Sequence, residues 1–347
     1  SRSSARRPRR GPVARSYEPV GLRAKRGCGR RSRAISRRCR NVQYPARRGR
    51  RDVDVDLPDA FRTLADWAAD SAPLYETLCR GIAEDPTVLD LAGEVPSDRW
   101  APHVTLSAVH YLLLEGADHA LARFYPSLTD SPDDPAEAYP HFRDFCVTHA
   151  ADLKPLLRHR RTQTNAVGRC AGLYPAFCYI DRRASAPLGV LELGASAGLN
   201  LNWDRYGYAY DSERYGATDS AVTVRSAVRS GSPPLRRTPP VVNTRLGIDL
   251  NPLDPTDSRD AAWLRALVWP EHTGRFDVLD AAVERARADP PRVVADDAVE
   301  TLAEHADSVP DGEALVVYHT ALLYQLSDAQ RSALRRALAA VGETRPV

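Results

Sequence analysis

Apolar residues recur three and four apart through the chain beyond residue 52. Phe61, Leu64, Ala65 and Ala68 fall on one helical face, and Leu74, Leu78 and Ile82 resume it after Pro73. The stretch from Val104 to Phe124 reads as a further helical region, with Val109, Leu112 and Leu113 on one side. Pro126, Pro132, Pro135 and Pro140 mark a loop, and residues 141–157 and 162–180 read as two more helices. The rhythm then changes. Leu188 to Leu193 is a short apolar run between Pro187 and Gly194, the pattern of a buried strand. Residues 221–224, 241–250, 292–295 and 314–318 read as further strands. Residues 199–206, 261–267, 276–288, 298–306 and 328–341 read as helices. Strands alternating with helices predict a mostly parallel α/β sheet with helices on both faces. The expected organisation is an α-helical region over 52–180 followed by an α/β domain over 181–347, with no internal repeat.

Charge adds a third part. The +3 total of the 347-residue chain combines +18 over residues 1–51 with −15 over the remainder. The first 51 residues are Arg-rich, carry one acid, Glu18, and show neither helical nor strand periodicity, so this arm is expected to be disordered. A nucleic-acid arm would use the Arg clusters on phosphates, and this is the only route to nucleic acid the sequence offers. A targeting segment would fit the composition, but no apolar stretch follows Arg6-Arg7 or Arg9-Arg10. The chain contains no Met, and the reading preferred is an arm without function, translated from upstream of the true start. The body is acidic and contains a single lysine, Lys154. A cytoplasmic location is expected. The longest apolar stretches, 104–114 and 314–323, fall short of the roughly 18–20 residues of a membrane span. Six scattered cysteines do not make a disulfide scaffold, and no zinc-ligand spacing occurs.

The chemistry concentrates at the first strand and its turn, Leu191-Glu-Leu-Gly-Ala-Ser-Ala-Gly-Leu-Asn200. Three readings are open. In one, Glu192, Gly194, Ala195, Ser196 and Gly198 form a cofactor turn, where small residues admit a ligand close to the backbone and Glu192 lies at the strand's carboxyl end. In another, Gly194-x-Ser196-x-Gly198 is the nucleophile elbow of a serine hydrolase, with Asp249 or Asp297 and His319 completing a Ser…Asp…His order. In the third it is a tight turn with no ligand. Downstream, Asp249, the pair Asp296 and Asp297, and His319 each follow a predicted strand. A single acid there is as readily a helix cap as a ligand contact.

The pattern acidic-x-Gly-x-x-x-Gly at Glu192, Gly194 and Gly198 resembles motif I of class I S-adenosylmethionine-dependent methyltransferases, with Ser196 standing where that motif usually has its middle glycine. The resemblance implies that Asp249 holds the ribose hydroxyls and that the acids at 296–297 hold the adenine amino group. It also implies that the fourth strand end, with His319, faces the methyl donor and substrate. Several segments together resemble the domain of unknown function 2332 family of bacteria and archaea: Tyr125-Pro-Ser127, Gln163-Thr-Asn165 with Gly168-Arg169, Leu191 to Tyr206, Asp249-Leu-Asn-Pro252, Leu264 to Pro270 and Val317-Tyr-His-Thr320. The resemblance covers roughly 55–347 and implies a Rossmann-like, methyltransferase-type fold behind a helical region. A methyltransferase sheet has seven strands. Four are legible before Val347, so the fourth is expected to be an edge and the last three to be missing.

Other residues are weighed beside these. Gln163, Asn165 and Arg169, on an expected helix, could anchor a donor carboxylate or serve as caps and surface pairs. Trp203, Asp204, Arg205 and Tyr206 could line a pocket or belong to the core. Cys170 and Cys178 read as buried thiols, and His103, His110 and His119 lack metal-ligand spacing. The expectation is S-adenosylmethionine binding, with methyl transfer to a small-molecule or other unknown acceptor and His319 as the substrate-side base. A Ser196 hydrolase and a non-catalytic binding protein are the alternatives.

Overall fold

The structure, a computed structural model, describes residues 56–344. The Arg-rich segment and the expectations placed on it lie outside the described residues. The helical region consists of α1 (Leu57–Ala68), α2 (Pro73–Ile82), α3 (Pro86–Ala92), α4 (Ala101–Leu114), α5 (Ala138–Thr148), α6 (Ala150–His159) and α7 (Cys170–Asp181). Then follow β1 (Leu188–Leu193), β2 (Gly207–Tyr210), β3 (Glu213–Gly216), β4 (Thr223–Ser226), β5 (Val242–Asp249), α8 (Ser258–Ala266), α9 (Phe276–Ala288), β6 (Val293–Ala295), α10 (Leu302–Asp307), β7 (Ala314–Tyr318) and α11 (Asp328–Thr344).

The main sheet is parallel, in the order β6-β5-β1-β7. From β1 the chain moves outward through β5 to β6, then returns to add β7 on the other side of β1. The strand order therefore reverses between β1 and β7, which places a crevice at the carboxyl ends of these strands. Side chains alternate across the sheet. Leu188, Val190 and Val316 join a core that runs from Phe61 of α1 through the helical region, while Leu191, Leu193 and Leu315 join a second core under α10 and α11. Both faces are covered, which is why these strands read as continuous apolar runs. No helix of the described residues is long and apolar enough to cross a membrane.

Several expected elements differ. The region 104–124 is two pieces. α4 ends with a bond from the Ala117 N–H back to the Leu112 carbonyl around Gly116, and a separate 3-10 turn spans Ala120–Phe124. The helix expected over 141–157 is divided between α5 and α6 at His149. Residues 162–166 are irregular rather than helical, because the Gln163 and Asn165 polar groups are taken by the turn after β1. The stretch after that turn, Leu199–Arg205, is 3-10 and not α-helical, with Asn202 off the helical conformation. The Pro-rich insertion before β5 holds a three-stranded sheet, β3-β2-β4, of which only part of β4 was legible.

Candidate functional site

The site is built where β1 stops. Glu192, one residue before the strand's end, is fully buried on the side of the sheet that carries Phe177 and Trp203. Its register partner on β7 is Tyr318, whose hydroxyl donates to Glu192 Oε2 at 3.3 Å. Glu192 Oε1 and the neighbouring buried Asn200 Nδ2 make no hydrogen bond of good geometry among the described residues, although the Asn200 side chain lies close enough to Glu192 to favour its ionised form. Burial pushes the Glu192 carboxyl up to about 8, against the opposing pull of the Tyr318 hydroxyl, the Asn200 side chain and the Arg169 charge. A buried carboxyl oxygen without a hydrogen bond of good geometry is costly and calls for an explanation.

The turn itself is held from three sides. Gly194, Ser196 and Gly198 all have positive φ, at 71°, 55° and 69°. The cost for a serine, about 1–2 kcal/mol, is offset by two bonds. The Ser196 N–H donates to Asp249 Oδ2 at 2.8 Å, and its hydroxyl donates to the Gln163 carbonyl at 2.9 Å. Asn165 staples the loop: its Nδ2 donates to the Ala195 carbonyl and its Oδ1 accepts from the Leu199 N–H. Gln163 and Asn251 exchange side-chain bonds beside Asp249, the Gln163 amide reaching the Asn251 carbonyl. Thus Gln163 and Asn165, weighed as ligand anchors or as caps and surface pairs on an expected helix, instead shape the turn from an irregular segment. Arg169 lies in the short 3-10 turn before α7 and donates to Thr320 Oγ1 at 3.2 Å and to Thr164.

The two glycines differ in what they face. A Cβ on Gly198 would stand 2.8 Å from Val293 and 2.9 Å from Pro291, so close packing against β6 requires the residue. A Cβ on Gly194 would first meet Leu322, at 3.3 Å. Asp249 closes the carboxyl end of β5, and the next residue, Leu250, is 73% exposed there. Asp296 follows β6 and accepts from His305 Nε2 at 2.8 Å. Asp297 caps the following turn through the N–H groups of Val299 and Glu300, as a helix-capping acid does. His319 lies just past β7. Burial lowers its pKa below the ordinary value, and its Nδ1 is buried with no partner among the described residues. The Ser196 hydroxyl is bonded to a carbonyl, and no histidine hydrogen-bonds to it.

The structure therefore brings Glu192, Gly194, Ala195, Ser196 and Asp249 together around one turn, with His319 and Arg169 at its β7 side. Asp296 stands at the far end and Asp297 is turned to capping. Tyr318, Asn200 and Leu322 were missed as members of the site. Only Tyr318 had a usable signal, as the residue opposite Glu192 once the strands are aligned. The aromatic stretch expected after the turn is core: Trp203 is buried and stacks on Phe177 at 4.0 Å, and Tyr206 is buried. Among the described residues no group of three or more His, Cys, Asp or Glu is placed to hold a metal ion.

Comparison with curated proteins and with solved structures returns no match to either. Residues 58–347 match the model of a family described as an uncharacterized protein conserved in bacteria, and the chain belongs to this family, DUF2332.

Proposed function

We propose that the crevice at the carboxyl ends of β1, β5 and β7 binds S-adenosylmethionine and that the protein transfers its methyl group to an acceptor. The observation that carries this reading is the fully buried carboxyl of Glu192, one oxygen of which makes no hydrogen bond of good geometry, beside the point where the strand order reverses and one strand away from Asp249. The residues fit the donor. Asp249 suits a ribose diol, Leu250 offers exposed apolar surface to a planar base, and Asp296 stands where an exocyclic amine would reach. Glu192 suits the donor's ammonium group, and Arg169 suits its carboxylate. The donor, when bound, supplies an electrophilic methyl group. His319, held neutral by burial, is suited to accept a proton from the acceptor.

The hydrolase reading lacks an activated serine, since the Ser196 hydroxyl donates to a backbone carbonyl. A fluorophosphonate probe is therefore expected to leave the protein unlabelled. Stoichiometric labelling that disappears in Ser196→Ala would reverse the choice. For the donor itself, equilibrium dialysis with S-adenosylmethionine is expected to show Glu192→Gln and Asp249→Asn each weakening binding by about 1–3 kcal/mol. Gly194→Val should abolish it while the helical region stays folded. Unchanged affinity in all three would remove the site assignment.

A further inference from the structure

The segment between β7 and α11 is fixed at both ends and lies across the crevice in between. At its start, His319 follows directly from the strand. At its end, Ser327 and Gln330 form a reciprocal cap on α11: the Ser327 N–H donates to Gln330 Oε1 at 3.0 Å and the Gln330 N–H to Ser327 Oγ at 3.3 Å. Between these anchors two contacts hold the segment down over the turn. Leu322 lies on the backbone of Gly194, its Cδ1 and Cβ 3.3 and 3.4 Å from where a side chain would begin. Thr320 Oγ1 accepts from Arg169 at 3.2 Å. The tip, Leu323 and Tyr324, is 37% and 40% exposed, and a bond from Arg331 Nε to the Leu323 carbonyl ties it to α11.

Leu322, which also packs against the second core, thus sits on the first glycine of the turn at the end of β1. A ligand approaching the Gly194 backbone would need that space. Arg169, whose charge acts on Glu192, donates from its guanidinium to Thr320 of the loop and to Thr164. We propose that residues 319–326 are a lid over the ligand site, latched in the free protein by Leu322 on Gly194 and by Thr320 on Arg169. When the lid lifts, Arg169 passes from the latch to an acidic group of the ligand. The identity of that ligand rests on the donor reading above; the latch does not.

The test uses the full chain, chymotrypsin as a probe of lid opening at Leu323 and Tyr324, and S-adenosylhomocysteine as the binding probe. Thr320→Val and Leu322→Ala should each speed cleavage at these two sites by about 3–10-fold, with cleavage elsewhere in the chain unchanged from the wild type. Both should tighten S-adenosylhomocysteine binding by a similar factor, because a binding-competent population that was fractional becomes dominant. Arg169→Gln separates the two roles: it should speed cleavage as Thr320→Val does, yet weaken binding. Cleavage rates unchanged in Thr320→Val and Leu322→Ala overturn the lid, even if the ligand binds. Faster cleavage in both, with no binding by any form, upholds the latch and overturns the donor reading. Weaker binding in Leu322→Ala and Thr320→Val makes the segment part of the ligand's floor and overturns the lid.

Discussion

Two buried histidines of the helical region and one buried carboxyl at the ends of the parallel strands are treated in opposite ways, although the buried Tyr75 and Tyr125 hydroxyls of the helical core also lack a partner among the described residues. α4 is buried on nearly all sides and carries His103 and His110 into the core. Each ring is satisfied. His110 bonds the Ala266 carbonyl and Ser127 Oγ; His103 bonds the Trp269 indole N–H and pairs with Thr162 at 3.4 Å. These rings fasten α4 to the segment around α8 and have no free valence for a ligand. Glu192 is just as buried and keeps an oxygen with no hydrogen bond of good geometry. A satisfied buried group explains itself as structure, whereas an unsatisfied one at a crevice points to something that completes it.

The comparison presupposes that the two regions share one core, and the largest expected effect probes that. Trp203 stacks on Phe177 where α7 meets the turn. Trp203→Ala should cost about 3–5 kcal/mol, and urea denaturation should still show a single transition. Two separate transitions would mean that the regions stand apart.

The next effect separates the two kinds of burial by pH. Burial lowers His103 and His110 from 6.5 to about 4. The folded chain therefore holds fewer protons than the unfolded one in this range, and stability falls as pH drops from 6.5 towards 4. Each ring contributes on the order of 3 kcal/mol. His110→Gln should flatten the fall of melting temperature over that interval; an unchanged slope would mean the ring is not buried neutral. Glu192 has the opposite sign. Its carboxyl is raised from 4.5 to about 8, so its contribution is full below 4.5 and is lost as pH rises through about 8. The loss is at most about 1.4 kcal/mol per pH unit. Glu192→Gln should remove this decline between pH 4.5 and about 8 and be nearly neutral below 4.5. A variant that declines as the wild type does would contradict the buried, protonated carboxyl.

The smallest effect concerns the turn. Ser196→Gly relieves a left-handed serine but loses the bond to the Gln163 carbonyl, two terms of about 1 kcal/mol each. Its melting temperature should stay close to that of the wild type, and donor binding should be kept. A large loss of stability would show that the hydroxyl, and not the backbone shape, holds the turn to residues 163–165.

What the sequence made legible follows from how local each signal is. β1 and β7 are short apolar runs whose neighbours on both faces are apolar, and their limits are as predicted. α9 was equally clear, because Phe276, Leu279, Val283 and Ala286 keep helical spacing. The irregular stretch around Gln163 and Asn165 was illegible. Its conformation is set by bonds to Ala195, Ser196 and Leu199, some 30 residues away, and nothing local opposes a helix. The β2–β3 hairpin was hidden for a different reason. Tyr208 and Tyr210 are buried tyrosines whose hydroxyls reach the Trp203 and Ala171 carbonyls, so the strand reads as polar while packing as apolar. At the site, an acid at a strand end could be located by pattern. Whether it binds or caps is decided by the bonds it makes, and these separate Asp297 from Glu192. Leu322 had no signal, since its position depends on where the loop after β7 folds back.

Titration calorimetry of the full chain with S-adenosylhomocysteine at pH 7, repeated in two buffers of different ionisation heat, tests the central claim most directly. The account predicts one saturable site. It also predicts a buffer-dependent heat that reports proton release, because the ligand's ammonium group would ionise the Glu192 carboxyl. That buffer dependence should vanish in Glu192→Gln. The absence of any saturable heat, or binding with the same heat in both buffers, would contradict it.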